Sequence, residues 1–135
     1  MKQLSDITQS FAVSKFNGQE DFKADGLRPY ALYRDLGFAK ATEGMVHAHV
    51  IQLIGPCTDA VRKRHMHGLQ LQLVYCLQGW MTIEHEGQGV MTLKAGDAWL
   101  MPPNIKHTVL DYSDDCHNLE ITVPAEFPTT DCPPA

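Results

Sequence analysis

Residues 65–79 read HMHGLQLQLVYCLQG. His65 and His67 stand one residue apart after a basic loop, and Gln72 follows at the head of an apolar run that ends at Gly79. Side chains at i and i+2 of an extended chain point to the same side. The two imidazoles of such a strand can therefore occupy neighbouring positions on a metal ion, if further ligands come from other strands.

The composition limits the class of protein. The chain has 135 residues, of which 44% are hydrophobic and 20% charged, enough for one globular domain and too few for two ordinary ones. Its net charge of −5 gives no attraction to nucleic acid or to an anionic membrane. There is no signal-peptide core and no apolar run long enough to span a membrane. We expect a cytoplasmic protein whose partners are small molecules or other proteins.

Four cysteines are scattered along the chain without forming a CxxC pair. A chain of this size needs no disulfide framework, so we expect free thiols.

Short apolar segments, separated by Gly, Pro and Asn, follow one another along most of the chain. No window of ten or more residues shows helical periodicity, and the pattern indicates an all-β sandwich or barrel. We expect an N-terminal arm at 1–28, the β-domain at 29–124 and a tail at 125–135. The tail contains FPTTDCPPA, with three prolines, and is expected to be irregular. Apart from the quoted stretch, strands are predicted within 28–37, 45–55, 80–87, 90–93, 98–101, 107–110 and 118–124.

Two linked motifs in this chain resemble those of the cupins. The first cupin motif is a glycine, a loop, H-x-H, three or four residues, a glutamate, six residues and a glycine. Here Gly55 opens it, His65 and His67 form the pair, Gln72 stands at the glutamate position, and Gly79 closes it.

The second motif follows at the spacing that the family uses. Gly96 opens it, Pro102 comes after five residues, Asn104 replaces a glycine, and His107 follows two residues later. Asp111 stands where the family has asparagine. Together the motifs span residues 55–111.

The resemblance implies a double-stranded β-helix, or jelly-roll barrel, with one divalent transition metal ion inside. Its implied ligands are His65, His67, Gln72 and His107. Because a glutamine carries no charge, this set leaves the full charge of the ion on the site, so an anionic substrate could supply the missing charge. Fe, Mn, Ni, Zn, Co and Cu all suit such donors. The other interpretation is a degenerate, empty site.

Further residues could line the pocket or belong to ordinary core. The second H-x-H pair, His47 and His49, is interpreted as packing or pocket-lining, whereas His85 and His117 are predicted at the surface or at strand ends. Arg62, Lys63 and Arg64 form either a solvated loop or a cationic rim that attracts an anionic substrate. The pocket candidates are Tyr33, His49, Gln52, Gln70, Cys76, Trp99 and Asp111.

If Gln72 points inward, the alternating apolar residues of its strand point outward. An outer face this apolar needs a cover, and we expect a second copy of the chain, with or without exchange of the arm. The residues predicted on this face are Leu69, Leu71, Leu73, Tyr75 and Leu77.

The resemblance implies a metal-dependent enzyme, for which a dioxygenase acting on a small, possibly anionic, organic substrate is the first hypothesis. A metal-dependent isomerase or decarboxylase is an alternative. A non-catalytic ligand-binding or sensor module is another, because the family includes both kinds of protein. Glu120 and His49 are the candidates for acid–base chemistry.

Overall fold

The computed structural model describes residues 3–26 and 28–135. The predicted all-β fold is confirmed: the described residues form ten strands, and the α-helix among them is a single turn, α1 (Phe38–Ala41). No helix in this part of the chain has the length and hydropathy to cross a membrane. The strands are β1 (Ala31–Asp35), β2 (His47–Leu53), β3 (His65–His67), β4 (Leu71–Gln78), β5 (Trp80–His85), β6 (Gly89–Lys94), β7 (Ala98–Leu100), β8 (His107–Tyr112), β9 (His117–Val123) and β10 (Thr129–Asp131).

The strands form two antiparallel sheets of five strands each. The first sheet has the order β1-β2-β9-β4-β7, and the second has the order β10-β3-β8-β5-β6. Successive strands pass from one sheet to the other at every connection except β1–β2 and β5–β6. Two antiparallel sheets linked in this way make the jelly-roll arrangement.

The alternation of β4 shows how the sequence divides between interior and surface. Gln72, Val74 and Cys76 are buried, whereas Tyr75 and Leu77 between and after them are exposed. Period-two alternation of this kind is what a strand with one buried face requires.

One end of the barrel is filled by apolar side chains and the other by polar ones. The apolar cluster consists of Ala31, Leu53, Val61, Met81, Ile83, Tyr112 and Cys116. The buried polar residues include His65, Gln72, His107 and Thr122. His107 begins β8 and Thr122 lies near the end of β9, whereas Tyr112 of the apolar cluster ends β8 and Cys116 precedes β9. The polar end is therefore the part of the interior available for chemistry.

The predicted arm lies across the outer face of the first sheet. The Arg34 guanidinium on β1 donates to the Ser14 carbonyl at 3.2 Å, and the Gln19 amide donates to Gln52 on β2 at 2.7 Å. These contacts cover the β1 and β2 side of that face and leave the β4 and β7 side to solvent.

Two predictions about exposed segments are wrong. The tail is not irregular throughout, because Thr129–Asp131 forms β10 and pairs with β3. Pro128 precedes this strand and Pro133 follows it. Their ring nitrogens carry no hydrogen to donate, and both lie outside the β10–β3 ladder. Leu69 is buried rather than on the outer face, because it lies in the connection before β4 and does not follow the alternation of that strand.

Candidate metal centre

Three histidines from two adjacent strands meet inside the barrel. His65 on β3 lies directly opposite His107 on β8, and His67 follows on the same side of β3. One ring nitrogen of each histidine lies within 4.8 Å of the corresponding nitrogens of the other two. A cluster of three imidazoles at this separation could hold a transition metal ion.

Hydrogen bonds at Nδ1 leave Nε2 as the free nitrogen in two of these rings. The Nδ1 of His65 donates to the Lys63 carbonyl at 2.8 Å, and that of His107 donates to the Ile105 carbonyl at 3.0 Å. A carbonyl can only accept, so Nδ1 carries the proton and Nε2 keeps its lone pair. Proteins fix metal-binding histidines in this way, and the residues fit an ion.

His67 is held by the tail. Its Nδ1 lies 2.9 Å from the Thr129 hydroxyl, which stands opposite it on β10. Strand β10, which was not predicted from the sequence, thus orients one of the three rings.

The histidines are held neutral by their surroundings. Burial lowers the pKa of His67 to about 4 and the pKa of His107 to about 3. Burial also lowers the pKa of His65. Near neutral pH the lone pairs are therefore available to an ion without competition from protons.

Gln72 lies on the inner face of β4 and is only 3% exposed. Its Nε2 donates to Oε2 of Glu120 at 2.9 Å. Glu120 lies on β9, the neighbouring strand of the first sheet. The predicted role of Gln72 as fourth ligand remains a proposal, and its amide nitrogen is already committed to a carboxylate.

Glu120 also binds a pair of histidines from β2. Its Oε1 accepts from Nε2 of His49 at 2.8 Å, and Nδ1 of His49 lies 3.0 Å from Nε2 of His47. The Tyr33 ring stacks on His49 with 5.2 Å between ring centroids. Burial alone would raise the pKa of Glu120, but hydrogen bonds from His49 and Gln72 hold it below its usual value. The carboxylate is therefore ionised.

Of the seven predicted pocket residues, Tyr33 and His49 lie beside this carboxylate, and three others lie outside the barrel. Gln52 faces outward and contacts the arm, since it has the opposite parity to His49 on β2. Gln70 is exposed because it precedes β4. Asp111 faces outward because a bulge in the β5–β8 pair reverses the alternation of β8.

Cys76 and Trp99 face the interior but lie away from the three histidines. Cys76 is fully buried four residues beyond Gln72, about 13 Å along the strand. Trp99 packs against the apolar cluster. Both belong to the core rather than to the site.

His85, predicted at the surface or at a strand end, is the last residue of β5 but lies inside the barrel rather than at the surface. His85 is 6% exposed, lies opposite His107 in the β5–β8 ladder, and stacks on that ring with centroids 5.5 Å apart. Its Nε2 is buried without a hydrogen-bond partner among the described residues. The alternation of Met81 and Ile83, extended by one step, places His85 inside.

His117 begins β9 and contacts the arm.

Of the two interpretations of residues 62–64, a solvated loop or a cationic rim, the rim is not formed by the two arginines. Arg64 is paired with Glu84 on the outer face of β5, at 3.0 Å, and Arg62 donates to the Leu110 carbonyl at 2.9 Å. Burial lowers the pKa of His65, and the positive charge of Arg28 adds to this effect.

The comparisons with known proteins agree with this geometry. Residues 56–121 match the family model described as a cupin domain. The chain has a cupin domain. No curated protein matches the chain.

Several solved structures share the fold of this cupin domain. KdgF from Halomonas sp. has 22% identity and a TM-score of 0.64, over 85% of this chain and 94% of that one. The polyketide cyclase RemF from Streptomyces resistomycificus has 20% identity and a TM-score of 0.65, over 91% and 88%. Oxalate decarboxylase from Lactobacillus farciminis, in a formate complex, has 16% identity and a TM-score of 0.61, over 83% of this chain and 34% of that one. At these identities the likeness concerns the fold alone.

Proposed function

We propose that this cupin domain is a metal-dependent enzyme that acts on a small organic anion. One observation carries the proposal: His65, His67 and His107 each have Nδ1 engaged by a neighbouring oxygen and a second nitrogen that faces the other rings. Rings fixed in this way are what a metal ion requires of its ligands.

The three histidines would hold one divalent transition metal ion, with the Gln72 carbonyl as the proposed fourth ligand. Fe, Mn, Ni and Zn suit these donors. When bound, the ion would supply a Lewis acid for a carbonyl or carboxylate oxygen.

The charges around the site favour an anionic ligand. Three neutral imidazoles and an amide leave the charge of a divalent ion uncompensated within the ligand set. The positive charge of Arg28 has the same sign, and it contributes to the lowered pKa of His65 and His67 after burial and, for His67, after the neighbouring His65. A small carboxylate would bring charge of the opposite sign, and the similar oxalate decarboxylase structure is a complex with formate.

The neighbouring carboxylate favours a reaction in which a proton moves and no electrons are exchanged. Glu120 and His49 are hydrogen-bonded at 2.8 Å, inside the barrel and one hydrogen bond from Gln72. A paired carboxylate and imidazole can accept and return a proton. Isomerisation and decarboxylation are the reaction classes that this arrangement supports.

A dioxygenase is the second candidate. His65, His67 and His107 come from the adjacent strands β3 and β8, so these donors approach the site from one side of the barrel. Donors grouped on one side leave coordination positions free for a chelating substrate and for dioxygen.

Oxygen uptake and product analysis test these candidates. Metal-loaded protein should convert at least one member of a panel of hydroxy acids, keto acids, dicarboxylates and catechols, and His107→Ala should abolish the conversion. Conversion without oxygen uptake supports the redox-neutral reaction, and uptake with conversion supports the dioxygenase. Binding of a panel member without conversion would make the protein a binding module and contradict the enzyme proposal.

We further propose that the chain forms a homodimer through the outer face of β4 and β7. Tyr75, Leu77 and Leu100 are 41%, 45% and 64% exposed there. Apolar side chains grouped on one sheet face are typical of an interface, and a second copy presents the same face to a two-fold axis.

A cytoplasmic location also remains our proposal. Cys57, Cys76, Cys116 and Cys132 are all free thiols. Free thiols of this kind suit a reducing compartment.

A further inference from the structure

We propose that Glu120 is a positioning residue that turns the Gln72 amide oxygen toward the three histidines and returns to the site the negative charge that glutamine lacks. This inference rests on the proposed function and names a residue that the cupin motifs do not contain. It is carried by the contacts of Gln72 and Glu120 on neighbouring strands of the first sheet.

The hydrogen bond to Glu120 sets the orientation of the Gln72 amide. An ionised carboxylate oxygen can only accept, so the amide atom 2.9 Å from Glu120 Oε2 must be the N–H donor. The amide oxygen then points to the other side of the same planar group. Gln72 and the histidines lie on the inner face of the barrel. Because the amide nitrogen is bonded to Glu120, the amide oxygen is the polar atom of Gln72 that can face the histidines.

Glu120 is itself held by a histidine of β2. Its other oxygen, Oε1, accepts from His49 at 2.8 Å, and His49 in turn lies 3.0 Å from His47. The Tyr33 ring stacks against His49 and restricts its rotation. A carboxylate fixed by two donors can orient the amide, whereas a mobile one could not.

The negative charge of Glu120 lies beside the Gln72 side chain. In the antiparallel β4–β9 ladder Gln72 lies opposite Thr122, and Val74 lies opposite Glu120. Gln72 and Glu120 are therefore diagonal neighbours on the inner face, close enough for their side chains to meet. The cupin motif has a carboxylate at the Gln72 position of β4. Here the carboxylate stands one strand away, on β9, and is separated from the ligand set by one hydrogen bond.

This arrangement differs in its consequences from a structural hydrogen bond. A structural pair would contribute to the stability of the barrel and leave metal affinity unchanged. A positioning carboxylate changes metal affinity, because it fixes the ligand atom and offsets the charge of the ion.

The test exchanges the two side chains. Metal affinity is measured by calorimetric titration of Zn²⁺, with a competing chelator, for the wild type, E120Q, Q72E and the double variant Q72E/E120Q. We expect E120Q to bind Zn²⁺ about tenfold more weakly. Q72E places two carboxylates within hydrogen-bond distance inside the barrel, and we expect a thermal unfolding midpoint below that of the wild type.

The double variant should recover both properties. In Q72E/E120Q the amide at position 120 donates to the carboxylate at position 72, so the hydrogen bond is restored with reversed polarity. We expect an affinity equal to or above that of the wild type, because a carboxylate then occupies the ligand position. The matched control is E84Q, which neutralises a half-buried carboxylate paired with Arg64 on the outer face of the other sheet. E84Q should leave the affinity unchanged.

A second readout needs no metal. In the ¹⁵N spectrum of the metal-free protein, the Gln72 side-chain amide should exchange slowly with solvent in the wild type and rapidly in E120Q. Equal Zn²⁺ affinity in the wild type and E120Q would overturn this inference and leave the proposed function standing. A wild type that binds no metal would overturn the proposed function, and the amide signal would then still decide whether Glu120 fixes Gln72.

Discussion

The Thr129 hydroxyl lies 2.9 Å from Nδ1 of His67, across the ladder that joins β10 to β3. The contact links a tail residue to a ring of the candidate metal centre, 62 positions earlier in the chain. The tail thus completes the second sheet and also fixes the orientation of one of the three imidazoles.

Removal of the Thr129 hydroxyl should weaken metal binding. T129V keeps the shape and the β-propensity of the side chain but leaves the His67 Nδ1 without its oxygen partner. We expect about a tenfold loss of Zn²⁺ affinity in a calorimetric titration, as is typical when the oxygen that orients a metal-binding histidine is removed. T130V is the matched control, because Thr130 lies opposite Met66 and points to the other side of β10. Equal losses in both variants would contradict a specific role of Thr129.

The metal-free protein should lose stability as the pH falls below about 6.5, the ordinary pKa of histidine. Burial lowers the pKa of His67 to about 4 and the pKa of His107 to about 3. Between about pH 6.5 and about pH 4 the unfolded chain takes up protons that the folded chain does not, so protonation favours unfolding. The stability from these histidines is therefore complete above about pH 6.5 and decreases below it.

The measurement is urea unfolding of the metal-free protein at pH 7.5, 6.0 and 5.0. H67F/H107F removes both titrating groups and should show a shallower pH dependence than the wild type. An identical dependence in the two proteins would contradict the assignment of this effect to His67 and His107.

Replacement of His85 by an apolar residue should leave the stability of the metal-free protein nearly unchanged or raise it. Its Nε2 is buried without a partner among the described residues, so H85L removes an unsatisfied polar atom and keeps most of the packing volume. We expect a free energy of unfolding within about 1 kcal/mol of the wild type, or above it. I83A creates a cavity at the neighbouring inner position of β5, and it should lower the free energy of unfolding by about 2–4 kcal/mol. A loss of that size in H85L would mean that Nε2 makes a bond within the folded protein.

A charge on the outer face of β4 should separate the proposed dimer. We expect the wild type to have twice the mass of one chain in light scattering at micromolar concentration, and L77D to have the mass of a single chain. V90D is the control, because Val90 is exposed on β6 at the edge of the other sheet. A wild type of single-chain mass would contradict the proposed interface.

The sequence predicted most of the fold because strand alternation and turn residues are local signals. Val74 and Cys76 face inward and Tyr75 faces outward, as the period of two requires. The prediction failed where an irregularity interrupts that period. Asp111 would lie inside if β8 alternated without a break, but the bulge opposite Thr82 and Ile83 turns it outward.

The chemistry of the site was predicted less completely than its position. The cupin motifs point to His65 and His107 without any knowledge of the fold. The hydrogen bond between Gln72 and Glu120 joins residues 48 positions apart on strands that only the sheet order makes neighbours. No local pattern contains such a contact, and the same holds for the support that Thr129 gives to His67.

The most direct test of the central claim is the stoichiometry of metal binding at the three histidines. Metal-free protein is titrated with Co²⁺, and the visible absorption of the bound ion is followed beside calorimetry, in the wild type, H107A and the control H117A. We expect one ion per chain in the wild type and in H117A, and at least a hundredfold weaker binding in H107A. A wild type that binds no ion, or an H107A variant that binds as tightly as the wild type, would contradict the claim.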